Sequence, residues 1–125
     1  MKNPTLRTAA MWLILSSAAF AQSHSHGDKG PKGGPMQDVV GVHAELIRTD
    51  RMLTVYIYDE AGNAVPAAGF SGSALVGSGQ TRQVIQLASG ANNSLTGTAL
   101  AALSRDTPVT LQLKAPNGKT GQAEF

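Results

Sequence analysis

The stretch Val42-His43-Ala44-Glu45-Leu46-Ile47-Arg48-Thr49-Asp50-Arg51-Met52-Leu53-Thr54-Val55-Tyr56-Ile57-Tyr58 decides the fold. Apolar and polar side chains alternate on both sides of Asp50-Arg51, and β-branched and aromatic residues are frequent. That is the period of half-buried strands, not of a helix. Two residues between the runs is hairpin length. With Asp50-Arg51 as the turn, Thr49 faces Met52, Leu46 faces Val55 and Ala44 faces Ile57, which gives one apolar face. The other face then carries His43 opposite Tyr58 and Glu45 opposite Tyr56. A slip of one residue would turn His43 towards the core.

The same alternation continues towards the C-terminus. Val109, Leu111 and Leu113 alternate with Thr110 and Gln112, and further strands are expected over 71–76, 82–87, 94–100 and 120–125. Turn chemistry separates them: Glu60-Ala61-Gly62-Asn63, Gly77-Ser78-Gly79, Gly90-Ala91-Asn92-Asn93 and Pro116-Asn117-Gly118-Lys119. Residues 99–103 also read as a helical turn. About seven short strands over residues 38–125 predict an all-β domain, a small antiparallel β-sandwich with a modest core.

Residues 22–37 precede it as a flexible arm rich in histidine, glycine and proline. From Gln22 to Pro35 the chain has no large apolar side chain, so it buries too little to offset its ordering entropy. Residues 1–21 read as a signal peptide: Lys2 and Arg7, an apolar run over 9–15, then small residues ending at Ala19-Phe20-Ala21. The run is too short to span about 30 Å of hydrocarbon. Cleavage after Ala21 or after Ala19 satisfies the small-residue rule, and either predicts a periplasmic or secreted protein with no membrane insertion once the signal is gone. Lys2 and Arg7 leave with it, and of the ten Lys and Arg and eight Asp and Glu this leaves eight of each. The mature chain is formally neutral and has no basic patch for nucleic acid.

No cysteine is present. That excludes disulfides, a lipoprotein anchor, a thiol nucleophile, a cysteine zinc site and a blue-copper centre. Catalytic patterns are also missing. Ser71 in Gly69-Phe70-Ser71-Gly72-Ser73 lacks the glycine spacing of a nucleophile elbow, and Asp59-Glu60 fits solvated turn chemistry. No phosphate loop or dinucleotide fingerprint occurs, so the expectation is a protein that is not an enzyme. The thioether sulfurs of Met36 and Met52 are soft ligands that suit Cu(I), but two methionines sixteen residues apart read first as gap-filling hydrophobes.

The histidines carry the one chemical hint. His24-Ser25-His26 in an extended arm puts two imidazoles on one side, where neutral imidazole suits copper, nickel or zinc. If Gln22 is the first mature residue, His24 is the third. Its imidazole, the α-amine and two amide nitrogens then make a square-planar set for Cu(II) or Ni(II). Cyclisation of Gln22, or cleavage after Ala19, would remove that set. His43 and Glu45, side by side on the hairpin's second face, are candidates to complete a metal shell.

A resemblance adds to this. His26-Gly27, Gly30-Pro31-Lys32-Gly33-Gly34, Val42-His43-Ala44-Glu45-Leu46, Val55-Tyr56-Ile57-Tyr58-Asp59 and Gly62-Asn63-Ala64-Val65 resemble a segment of small uncharacterised periplasmic proteins. The segment is also similar to the N-terminal extension of heavy-metal (cobalt–zinc–cadmium) efflux adaptor subunits. It covers the first part of the mature chain. The resemblance implies a compact β-domain near heavy-metal handling, with His26 and His43 as candidate ligands. The chain lacks the helical hairpin and lipoyl-like portion of an adaptor.

Two functions follow as expectations. The first is a periplasmic metal-binding or metal-chaperone protein for heavy-metal resistance, with a copper, nickel or zinc ion as cofactor and an envelope efflux or resistance protein as partner. His24, His26, His43 and Glu45 would be the ligands. The second is a non-enzymatic envelope interaction module with no metal.

Overall fold

The computed structural model describes residues 29–125. The signal peptide, its cleavage point, His24 and His26 lie outside the described residues. Eight strands follow in chain order: β1 (Met36–Val39), β2 (Val42–Thr49), β3 (Met52–Tyr58), β4 (Ser71–Val76), β5 (Gln83–Ser89), β6 (Ser94–Thr98), β7 (Val109–Lys114) and β8 (Thr120–Glu124), with a 3-10 turn at Gly79–Thr81 between β4 and β5. Residues 36 and 37, which composition assigns to the arm, begin β1. Residues 99–103 take no helical form. Their loop is tied to the β2–β3 turn by Ala99 N–H on Arg51 C=O and Leu103 N–H on Asp50 C=O, both 2.7 Å.

The β2–β3 hairpin has the expected register: Thr49 with Met52, Leu46 with Val55, Ala44 with Ile57, Glu45 with Tyr56 and His43 with Tyr58. Asp50 takes a left-handed conformation at the turn, φ 49°, which a short polar side chain tolerates. Leu46, Val55 and Ile57 are fully buried on the core face, and so are Val109, Leu111 and Leu113 of β7.

The β-sandwich expectation is corrected. All eight strands form one antiparallel sheet in the order β1-β2-β3-β6-β5-β4-β7-β8, and its two ends approach each other to make a nearly closed barrel. One strand prevents a division into two sheets. Gln83 to Leu87 of β5 pair with β4, whereas Ala88 and Ser89 pair with β6. Gly97 of β6 allows that crossing, because a Cβ there would lie 2.5 Å from Ile85 Cγ2 and 2.6 Å from Gln86 C=O. Alternation and strand count are the same whether strands stack as two sheets or curl into one, so the pattern alone does not separate these architectures.

Candidate functional site

The outside of the barrel has two unlike faces. On β1–β2–β3 the chain before β1 folds back as a turn: Lys29 bridges Pro35, Gly30 N–H donates to Gly34 C=O at 2.7 Å, and Gly33 N–H donates to Gly30 C=O at 2.9 Å. This turn lies on Glu45. Alternation aims the side chain of Glu45 away from the barrel core, yet its exposure is 0%. Its Oε1 accepts the Lys32 N–H at 2.8 Å and the Gly34 N–H at 3.0 Å. Its Oε2 accepts the Tyr58 hydroxyl at 3.0 Å. Gly30 is required by the close approach, since a Cβ there would sit 2.2 Å from Glu45 Cδ. The Lys32 ammonium lies 5.3 Å from the centre of the Tyr56 ring, over a residue that is Glu45's cross-strand neighbour.

A buried carboxylate survives because donors replace its lost water, and here two backbone amides and a phenol do so. Burial is also the main cause that pushes the Tyr58 hydroxyl up to about 12, with the hydrogen bond and negative charge of Glu45 adding to it.

His43 lies on the same outer row, between Asp38 of β1 and Tyr58 of β3. Its Nδ1 meets Asp38 Oδ1. The imidazole is half-buried and Asp38 is exposed. The register therefore brings His43 and Glu45 to one face, as expected, but the turn covers Glu45 and both of its oxygens are engaged. Among the described residues no group of three or more His, Asp or Glu side chains gathers as a cation would need. The metal-binding and copper expectation is corrected to that extent: the described barrel contains no such centre, and Glu45 serves as an anchor for the turn.

These contacts also link the pieces of the motif that carries the resemblance. Gly30, Lys32 and Gly34 close on Glu45, Glu45 bonds Tyr58, and the next residue, Asp59, accepts the Asn63 N–H at 2.8 Å. Scattered in sequence, they form one packed unit.

The opposite face, on β5–β4–β7–β8, has no such cover among the described residues. Register aligns Gln86, Ser73, Gln112 and Gln122 in one row across the four strands. Ser71, Lys114 and Thr120 form the next row. At about 4.8 Å between strands, the row is about 14 Å long. A depression of about 580 Å³ runs between these rows, floored at Gly72. Its lining has no aromatic ring, and Lys114 is its one charged side chain. Sequence reading passed over this row because each of its members is an ordinary solvent-side strand residue; only the strand order aligns them.

Arg48 differs from both faces. Its parity points it to one end of the barrel interior, where Nη2 donates to Thr107 C=O at 3.0 Å. Burial lowers its pKa, and its Nε has no partner among the described residues.

Among the described residues no helix is long and apolar enough to cross a membrane. Compared with models of protein families, with curated proteins and with solved structures, the chain has no match.

Proposed function

We propose that this protein is an exported, non-enzymatic interaction module of the bacterial envelope. It takes no metal ion and binds an extended segment of another envelope protein in the groove between Gln86 and Gln122. The observation that carries this reading is the groove itself: four aligned polar side chains on a sheet face that no other described segment covers. Glutamine offers both donors and an acceptor, the same repertoire as a peptide backbone. The single cation in the lining argues against phosphate groups, and the lack of an aromatic platform argues against stacked sugars or bases.

Two measurements on host-exported protein test the reading. A photo-crosslinker placed at Gln112 is expected to capture one protein partner, and the adduct is expected to disappear when Ser73→Trp fills the groove. Capture that survives Ser73→Trp would place the partner elsewhere. Calorimetric titration with Cu(II), Ni(II) and Zn(II) is expected to show no site of micromolar or tighter affinity above a His24→Ala/His26→Ala control. Such a site would overturn the metal-free assignment.

A further inference from the structure

Each of the two end strands has one edge that its neighbour does not use. Pro35 C=O accepts the Leu46 N–H at 3.0 Å, and Met36, Gln37, Asp38 and Val39 face Glu45, Ala44, His43 and Val42. Antiparallel pairs alternate between bonded and non-bonded kinds. Gln37 and Val39 therefore exchange bonds with β2, while the N–H and C=O groups of Met36 and Asp38 point to the seam. On β8, Val109 and Phe125 exchange both of their bonds, at 3.1 and 2.8 Å. By the same alternation Thr120, Gln122 and Glu124 also turn their backbone groups to the seam. Among the described residues no backbone hydrogen bond joins β1 to β8. The two strands meet instead through Val39 and Val40 against Gly121.

The turn on Glu45 brings the chain onto this edge. Lys29 pairs antiparallel with Pro35, and Gly30 N–H donates to Gly34 C=O. That bond makes 30/34 a bonded pair, so by alternation the 29/35 pair is of the non-bonded kind. An antiparallel register continued from that bridge would place its next, bonded pair on the seam-facing groups of Met36. Two further steps of the same register would set Gly27 opposite Gln37 and His26 opposite Asp38.

We propose that the seam edge of β1 is the docking strand for the chain's own residues 26–28, added antiparallel in the register that Lys29 and Pro35 set. The argument is continuity. The pairing is already begun at its first bridge, it points along β1, and the backbone groups it needs face the right way. Unpaired strand edges are templates for further pairing, and covering them is a common protection. Three residues suffice, because contact of Val39 and Val40 with Gly121 closes the seam beyond Asp38, and a chain cut at Ala21 keeps them. Docking extends the outer row to His26, Asp38, His43 and Tyr58, with an imidazole on either side of one carboxylate.

Amide hydrogen exchange on the exported full mature chain tests this, with core amides such as Leu111 confirming that each variant folds. Met36 and Asp38 are expected to exchange at least about tenfold more slowly than Thr120. Asp28→Pro removes a donor aimed at Met36 C=O, and both amides are expected to speed up about tenfold. Gly27→Pro removes an N–H that faces away from β1, as an edge proline can, and is expected to leave them within about threefold of the parent rate. Fast exchange at Met36 and Asp38 in the parent overturns the proposal. Protection indifferent to Asp28→Pro points to direct closure by β8, and protection that grows with protein concentration points to a second copy; either result also overturns it. Equal effects of the two prolines would rule out the register.

Discussion

The β1–β2–β3 face and the β5–β4–β7–β8 face are built from the same alternation, yet one is finished and the other is left open. On the first, a glycine-rich turn covers the strands, and each oxygen of the Glu45 carboxylate has its donors. On the second, Ser73 sits between Gln86 and Gln112 with nothing over the row among the described residues. The difference teaches how to interpret polar residues on strands. Where a polar group is buried and saturated, its chemistry is used in holding the fold. Where a polar row is exposed and aligned, its bonding capacity is available to another molecule.

The comparison breaks most visibly at Glu45. Glu45→Ala would leave the Lys32 and Gly34 amides and the Tyr58 hydroxyl without their acceptor and open a cavity beneath the turn. The expected loss is about 3 kcal/mol, read as a lower urea midpoint with little change in slope. Glu45→Gln keeps the shape and one carbonyl acceptor and is expected to cost about 1 kcal/mol. Equal losses in the two variants would mean that volume, not hydrogen bonding, holds the turn.

Much of this face was legible in advance. The hairpin register follows from Asp50-Arg51 and the apolar alternation, which put Glu45 beside Tyr56 and His43 beside Tyr58. What alternation could not supply was the cover. Gly30, Gly33 and Gly34 read as an arm because composition records the lack of apolar side chains. It does not record that the absence of a Cβ lets a backbone close on a carboxylate. Barrel closure was hidden for a related reason: it depends on Gly97 admitting β5 and on β5 changing partners at Ala88, both matters of long-range pairing. The amide groove was illegible for the same cause, since Gln86 and Gln122 become members of one row only through the order β5-β4-β7-β8. His24 and His26, the residues with the clearest chemistry in the sequence, lie outside the described residues.

An effect smaller than that of Glu45→Ala is expected at Tyr58. Tyr58→Phe leaves Glu45 Oε2 without its donor and is expected to cost about 1.5 kcal/mol at neutral pH. The phenol also sets a pH dependence. Its folded pKa, about 12, lies above the ordinary value of 10.0, so between these values the folded state holds a proton that the unfolded state releases. Stability from this group is complete below about pH 10 and falls as pH rises towards 12. Denaturant midpoints across that window are expected to drop more steeply in the parent than in Tyr58→Phe; parallel profiles would place the alkaline loss elsewhere.

The smallest expected effect sharpens the comparison from the open side. Gln112 sits in the middle of the uncovered row, exposed, between Ser73 and Gln122. Its backbone belongs to the sheet, but its amide side chain makes no hydrogen bond within the described residues. Gln112→Ala should therefore shift stability by no more than about 0.5 kcal/mol, while weakening capture of the proposed partner. Paired measurements of urea midpoint and partner binding separate the two faces cleanly: Glu45→Gln is expected to change the first and spare the second, and Gln112→Ala the reverse. If Gln112→Ala destabilised the barrel as much as Glu45→Gln does, the row would be structural, and the division between a finished and an open face would fail.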